Sequence, residues 1–218
     1  NARPVPQVRL ALPEYWTVPL TKRWLHFKGH MAYGVYTDDG WQRDFTQRRS
    51  RYVEHTLYHS KAGYLMIGKP EAFYPVTVEM GLEMGAQFGG TSYLQGENGR
   101  ILHASHNIKD FFHIFIPGGF DMSDGDYANV EGNQLGNWVA RVSYEAERWK
   151  ASVYGDHYFE DHSQMFFLDF DGYGQGKDYN ERVRNRYFLY DLKDIMLGGE
   201  LNLKYGRWIR DIVVEYLY

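Results

Sequence analysis

The sequence predicts an all-β chain: an antiparallel transmembrane β-barrel, present in part as about seven or eight strands, with long outer loops and short periplasmic turns. The first observation behind this is the stretch 73–89. Tyr74, Val76, Val78, Met80, Leu82, Met84, Ala86 and Phe88 are apolar there, while Pro75, Thr77, Glu79, Gly81, Glu83, Gly85 and Gln87 fill the positions between. That is a period of two, the pattern of a strand with one greasy and one polar face, and it outruns the usual soluble strand of about 5–6 residues. A tilted strand crossing a bilayer needs roughly 9–11 residues, with one side on lipid and the other on a polar interior. The second observation is the order of connections, which alternate long and short as they do in barrels of the outer membrane. The third is that Trp24, Tyr36, Tyr74, Phe88, Trp138, Trp149, Tyr158, Trp208 and Tyr216 fall towards strand ends, where aromatic girdles meet the bilayer interfaces. Tyr and Trp also favour strands in general, and alternation alone leaves an ordinary antiparallel sandwich open.

Taken in chain order, the opening 1–20 is rich in Pro and holds at most one short strand, around 8–12. Residues 22–37 alternate again, with Leu25, Phe27, Met31, Tyr33 and Val35 on one face and His26, Lys28 and His30 on the other. Residues 38–51 form a polar connection with an Asp-Gly turn signal. A strand is expected over 52–68, where His55, His59 and Lys61 share a face with Val53, Leu57 and Leu65. After a short link at 69–72 and the 73–89 strand comes a long irregular region, 90–136, with one apolar patch at 111–116. A hairpin pairs 138–145 with 149–160. A second long polar region, 161–193, precedes a last hairpin of 195–204 with 208–218.

Composition narrows the class. The chain has 218 residues in a single expected domain, 1–218, and no Cys, so it has neither a disulfide framework nor a thiolate metal site. A net charge of −4 and a pI near 6.1 supply no basic stripe for a phosphate backbone, which disfavours a nucleic-acid partner. Mean hydropathy of −0.56 is compatible with a barrel, whose apolar residues are diluted by alternation. No run of about 18 apolar residues exists to form a transmembrane helix. The first residue is Asn1, so a processed or trimmed chain is expected, with a targeting segment removed.

The segments LTKRWLHFKGHMAYGVYTDDGW, PVTVEMGLEMGAQFGG, GDYANVEGNQLGNW and YGDHYFEDHSQMFF together resemble the Wzi-like capsule assembly family of outer-membrane proteins. The resemblance runs from about Leu20 to the end of the chain. It implies a large outer-membrane β-barrel that acts as a surface lectin, holding exported capsular polysaccharide at the cell surface. It implies no enzyme activity and no cofactor; the partners would be capsular or surface polysaccharide, outer-membrane lipid and other outer-membrane or capsule-export proteins. Members carry more barrel than these strands build, so the chain is expected to be a piece of a larger protein.

Several residue groups are candidates for chemistry. Asp156, His157, Glu160, Asp161 and His162 cluster where a strand runs into a long loop, and two carboxylates near a His could serve acid and base roles. On a strand, however, Asp156 and Glu160 share a face with Tyr154 and Tyr158, while His157 and Asp161 point away. A solvated or sugar-contacting rim fits Asp156 and Glu160 better than catalysis. The pairs His55/His59 and His103/His106 have spacings that only a helix would bring together as metal ligands, and no metal site is assigned. Asp121, Asp124 and Asp126 do not have the spacing of an EF-hand loop. Asp126, Tyr127, Asn129, Glu131, Asn133 and Gln134 mix carboxylates, amides and an aromatic ring, groups that bond sugar hydroxyls and cover sugar faces but that also pin long loops to themselves. Three functions stay open: a glycan-binding barrel, a porin or transport barrel, and a soluble all-β carbohydrate-active protein.

Overall fold

The computed structural model describes residues 5–37, 39–69, 71–116, 134–159 and 194–218. In chain order its elements are β1 (Gln7–Thr17), β2 (Leu25–Val35), α1 (Trp41–Phe45), β3 (Tyr52–Glu54), β4 (Leu57–Gly68), β5 (Val76–Phe88), β6 (Thr91–Tyr93), β7 (Ile101–His103), α2 (Ile108–His113), β8 (Leu135–Glu145), β9 (Trp149–Phe159), β10 (Ile195–Leu203) and β11 (Asp211–Leu217). Eight long strands make one antiparallel sheet in the order β1-β2-β4-β5-β8-β9-β10-β11. Each is hydrogen-bonded to its neighbour in the chain, so successive connections fall on opposite rims. The strand ends that lead into 36–56, 89–134 and 160–194 lie at one rim; those joined by the short links 18–24, 69–75, 146–148 and 204–210 lie at the other. Among the described residues the sheet is open, with β1 and β11 as its outer strands, so the expectation of long antiparallel strands is met while barrel closure is not seen.

The register separates the two faces over the whole sheet. Trp16, Phe27, Leu65, Met80, Ala140, Gly155, Leu197 and Tyr216 form one row across the eight strands, every member apolar or glycine apart from the tyrosine hydroxyl. One residue along, the row reads Thr17, His26, Met66, Glu79, Arg141, Tyr154, Gly198 and Glu215. Because successive side chains on a pleated strand point to opposite sides, a single step changes a greasy row into a charged one. Towards the short-turn rim the greasy face lies in the open: Met80 is 58% exposed and Val153 69%. Towards the long-connection rim it is covered. Phe88, Ala86 and Ile114 are buried together with Tyr33, Leu57 and Phe111 around them, and Met84 packs with Phe159, Leu82 and Trp138.

Three expectations need correction. The first strand runs from Gln7 to Thr17, well past 8–12. Pro13 sits in a register shift between Leu12 and Trp16 on an outer strand, a place where the missing N–H costs no ladder bond. The strand expected over 52–68 is two strands. His55 adopts φ 60° and breaks it, and β3 leaves for a second sheet of order β3-β6-β7. The region 90–136 is not irregular throughout: it contributes β6, β7 and α2, and Leu135 and Gly136 already belong to β8. Helix α2 begins at a capping box, with the Asp110 carboxylate accepting the Asn107 N–H. Its apolar neighbours dock on the sheet.

Candidate functional site

The polar face is the candidate site, and side chains that reach over intervening strands define its shape. Tyr15 on β1 donates its hydroxyl to Glu79 Oε2 on β5 at 2.8 Å. With strands spaced about 4.7–4.9 Å, three steps across a flat sheet come to roughly 14 Å, and a Tyr and a Glu standing upright at that separation do not meet. The sheet therefore curls towards its polar side. Arg141 on β8 donates to Glu200 on β10 at 2.6 Å, Lys204 just past the end of β10 reaches Glu145 on β8 at 2.8 Å, and the Tyr154 hydroxyl on β9 donates to Glu215 on β11 at 2.6 Å. Each of these skips a strand. The polar face is concave and the greasy face convex, the reverse of a sheet wrapped around an apolar core.

Within the concavity, the Lys28 ammonium lies 4.5 Å from the Tyr15 ring centre and 4.9 Å from that of Tyr64, both within cation–π reach. Tyr64 donates to Glu83, and the Arg141 guanidinium stacks 4.5 Å above the Tyr154 ring. Lys28, Tyr64, Glu79, Arg141, Tyr154 and Asp156 line a hollow of about 310 Å³. Gly81 is part of its floor, where a Cβ would run into the Tyr64 ring and Val139. Paired cations, carboxylates and aromatic rings of this kind can bond hydroxyl-rich ligands or pin one another; every carboxylate named here has a donor on it.

The sequence-predicted residues fall in several places. Asp156 is in this concavity and accepts the Asn137 amide at 2.9 Å. Gln134 is fully buried and donates Nε2 to the Ile114 carbonyl at 2.6 Å, tying the start of β8 to the segment over the convex face. Asp126, Tyr127, Asn129, Glu131, Asn133 and Glu160, with Asp121, Asp124, Asp161 and His162, lie outside the described residues. His157 is on the convex face, opposite in direction to Asp156, as its register with Trp138 requires. His59 is buried and donates Nδ1–H to the Ala32 carbonyl at 3.1 Å, and His103 shares a 3.1 Å bond with Thr91. Among the described residues no three His, Asp or Glu side chains converge as a metal site. Tyr15, Arg141, Glu200 and Glu215 were not foreseen. Their only signal is the polar half of the alternation in β1, β8, β10 and β11.

The long-connection rim is itself folded. Two of its connections meet in the sheet of β3, β6 and β7, where the Tyr52 and Tyr93 rings stack at 4.4 Å and 11° and Arg48 pairs with Glu97 at 3.3 Å. Burial holds the Tyr52 phenol above its usual pKa, so it stays neutral. On the same rim, α1 buries no residue and shows the stacked rings of Trp41 and Phe45, 62% and 75% exposed, with centres 5.4 Å apart. No helix among the described residues is long and apolar enough to cross a membrane. No family model matches the chain, and no curated protein or solved structure is significantly similar to it.

Proposed function

We propose that this chain is part of the wall of an outer-membrane β-barrel whose long-connection rim holds exported capsular polysaccharide at the cell surface, as a lectin and not as an enzyme. One observation carries the membrane part of the reading: the sheet is concave and charged on one side, convex and apolar on the other. A soluble sandwich needs its greasy face covered by a second sheet. Among the described residues the only other sheet is the small one at the rim. Lipid is the natural cover for an exposed apolar belt on long antiparallel strands, with a polar interior behind it.

The binding part rests on the rim and on the resemblance to the Wzi-like family. Long connections of outer-membrane barrels face outwards, and loops on a rigid scaffold are where binding residues concentrate. The Trp41 and Phe45 rings offer apolar surface for sugar faces. Asp126, Tyr127, Glu131 and Asn133, in the connection between β5 and β8, add side chains that bond sugar hydroxyls. The strand-skipping bonds of the concave face favour a filled interior over the open lumen of a porin.

The test uses capsule-producing cells carrying the full-length protein. Replacing Trp41 and Phe45 by Ala, or Asp126, Tyr127, Glu131 and Asn133 by Ala, should release polysaccharide into the medium with the barrel still assembled. Because α1 buries nothing, the first pair should cost little stability. Normal cell-bound capsule in both variants at normal protein levels sinks the lectin reading, and steady ionic conductance through the purified protein in planar bilayers would favour the porin.

A further inference from the structure

The convex face carries a groove where two glycines meet. Gly29 on β2 and Gly63 on β4 stand directly opposite each other, in one row between Leu12 on β1 and Leu82 on β5. Two missing side chains leave a hollow of about 570 Å³ there, walled by Phe27, Met31 and Met84. Phe115 closes it on the side of the long-connection rim. There Lys61 donates to the Phe115 carbonyl and lies 4.9 Å from the Phe115 ring centre.

Two features identify what would fill the groove. Among the register-paired positions of the convex face, Lys61 is the one Lys, Arg, Asp or Glu, so the face offers it no carboxylate. The segment that carries Phe115 packs Ile114 on Ala86 and Phe88 of the sheet while Ile108, Phe112 and Ile116 stay exposed, four residues apart. Its outward side is therefore greasy, as in a segment lying in a bilayer interface. A cation at the mouth of an apolar groove on a lipid-facing wall fits an anionic lipid better than a second protein copy, which would have to bring its own carboxylate into hydrocarbon.

We propose that this groove holds one acyl chain of a phosphate-bearing membrane lipid, with the head group at Lys61 beneath the 108–116 segment. The site rests on the membrane-wall reading and would fix a lipid beside the rim that the long connections build. The bound chain covers the glycine pair; the phosphate supplies the counter-charge.

The experiment is native mass spectrometry of the full-length protein in neutral detergent, with phosphatidylglycerol and phosphatidylcholine of identical chains added as probes. The wild type should retain one phosphatidylglycerol, preferred over phosphatidylcholine by about tenfold. Gly63→Leu should lose both lipids. A Cβ at Gly63 meets nothing closer than the edge of the Phe27 ring at 3.6 Å, so this variant should fold, which its detergent-resistant gel mobility checks. Lys61→Met should keep the chain but lose the preference for the anionic head. Unchanged retention in folded Gly63→Leu, an unchanged preference in Lys61→Met, or no lipid on a detergent-requiring wild type overturns the groove alone. A wild type that is monomeric in water without detergent overturns the groove and the membrane wall together.

Discussion

Met80 on β5 stands directly opposite Leu65 on β4, and both side chains lie in the open on the convex face. At a solvent-exposed position of a soluble protein, such a residue tolerates substitution within about 0.5 kcal/mol. On a lipid-facing wall near the middle of a strand the same site excludes charge. Met80→Arg should therefore lose about 2–4 kcal/mol when the protein is refolded into bilayers. Urea titration of the full-length protein in lipid vesicles measures this, and a change below about 0.5 kcal/mol would return the chain to the soluble class.

One residue away, Glu79 is tied across three strand steps to Tyr15. Tyr15→Phe keeps the ring beneath Lys28 and removes only the hydroxyl, so it should cost about 1.5–3 kcal/mol if the bond to the carboxylate is intact, less for its partial exposure. Glu79→Gln should weaken the same link. A double-mutant cycle should find the two effects strongly non-additive, since both report one contact. Additive losses would mean that the two side chains do not meet in solution, and the inward curl of the sheet would go with them.

At the rim, Gly96 has φ 76°, and a Cβ there would strike the Arg48 backbone carbonyl. Left-handed backbone and close approach both require glycine. Gly96→Ala should loosen the contact that carries the Arg48–Glu97 pair and the Tyr52–Tyr93 stack, leaving the eight-stranded sheet unaffected. Limited proteolysis should then cut within residues 36–56 or 89–116 several times faster, with an unchanged thermal transition of the wall. Concerted loss of both would show that the small sheet is part of one cooperative unit with the large one.

How much was legible in the chain follows from how far each feature reaches. The two faces of β5, the hairpin of β8 with β9, and the alternation of long and short connections can be read directly, because the pleat writes a period of two into neighbouring residues and turns are chosen by local backbone chemistry. Even so, Pro13 hid half of β1, and nothing around His55 signalled that Tyr52–Glu54 would leave one sheet for another. The apolar patch at 111–116 was visible; that it lies over Tyr33, His59 and Phe88 was not. Asp156 was singled out from its neighbours in sequence, yet two of its companions in the concavity, Arg141 and Glu79, come from other strands. Which face is the inside depends on the curl, and the curl is recorded only in side chains that meet across intervening strands, such as Tyr15 with Glu79 and Arg141 with Glu200. Alternation is a property of adjacent residues and needs no partner. Curvature belongs to the assembled sheet, so it could be decided only after every strand had found its neighbour.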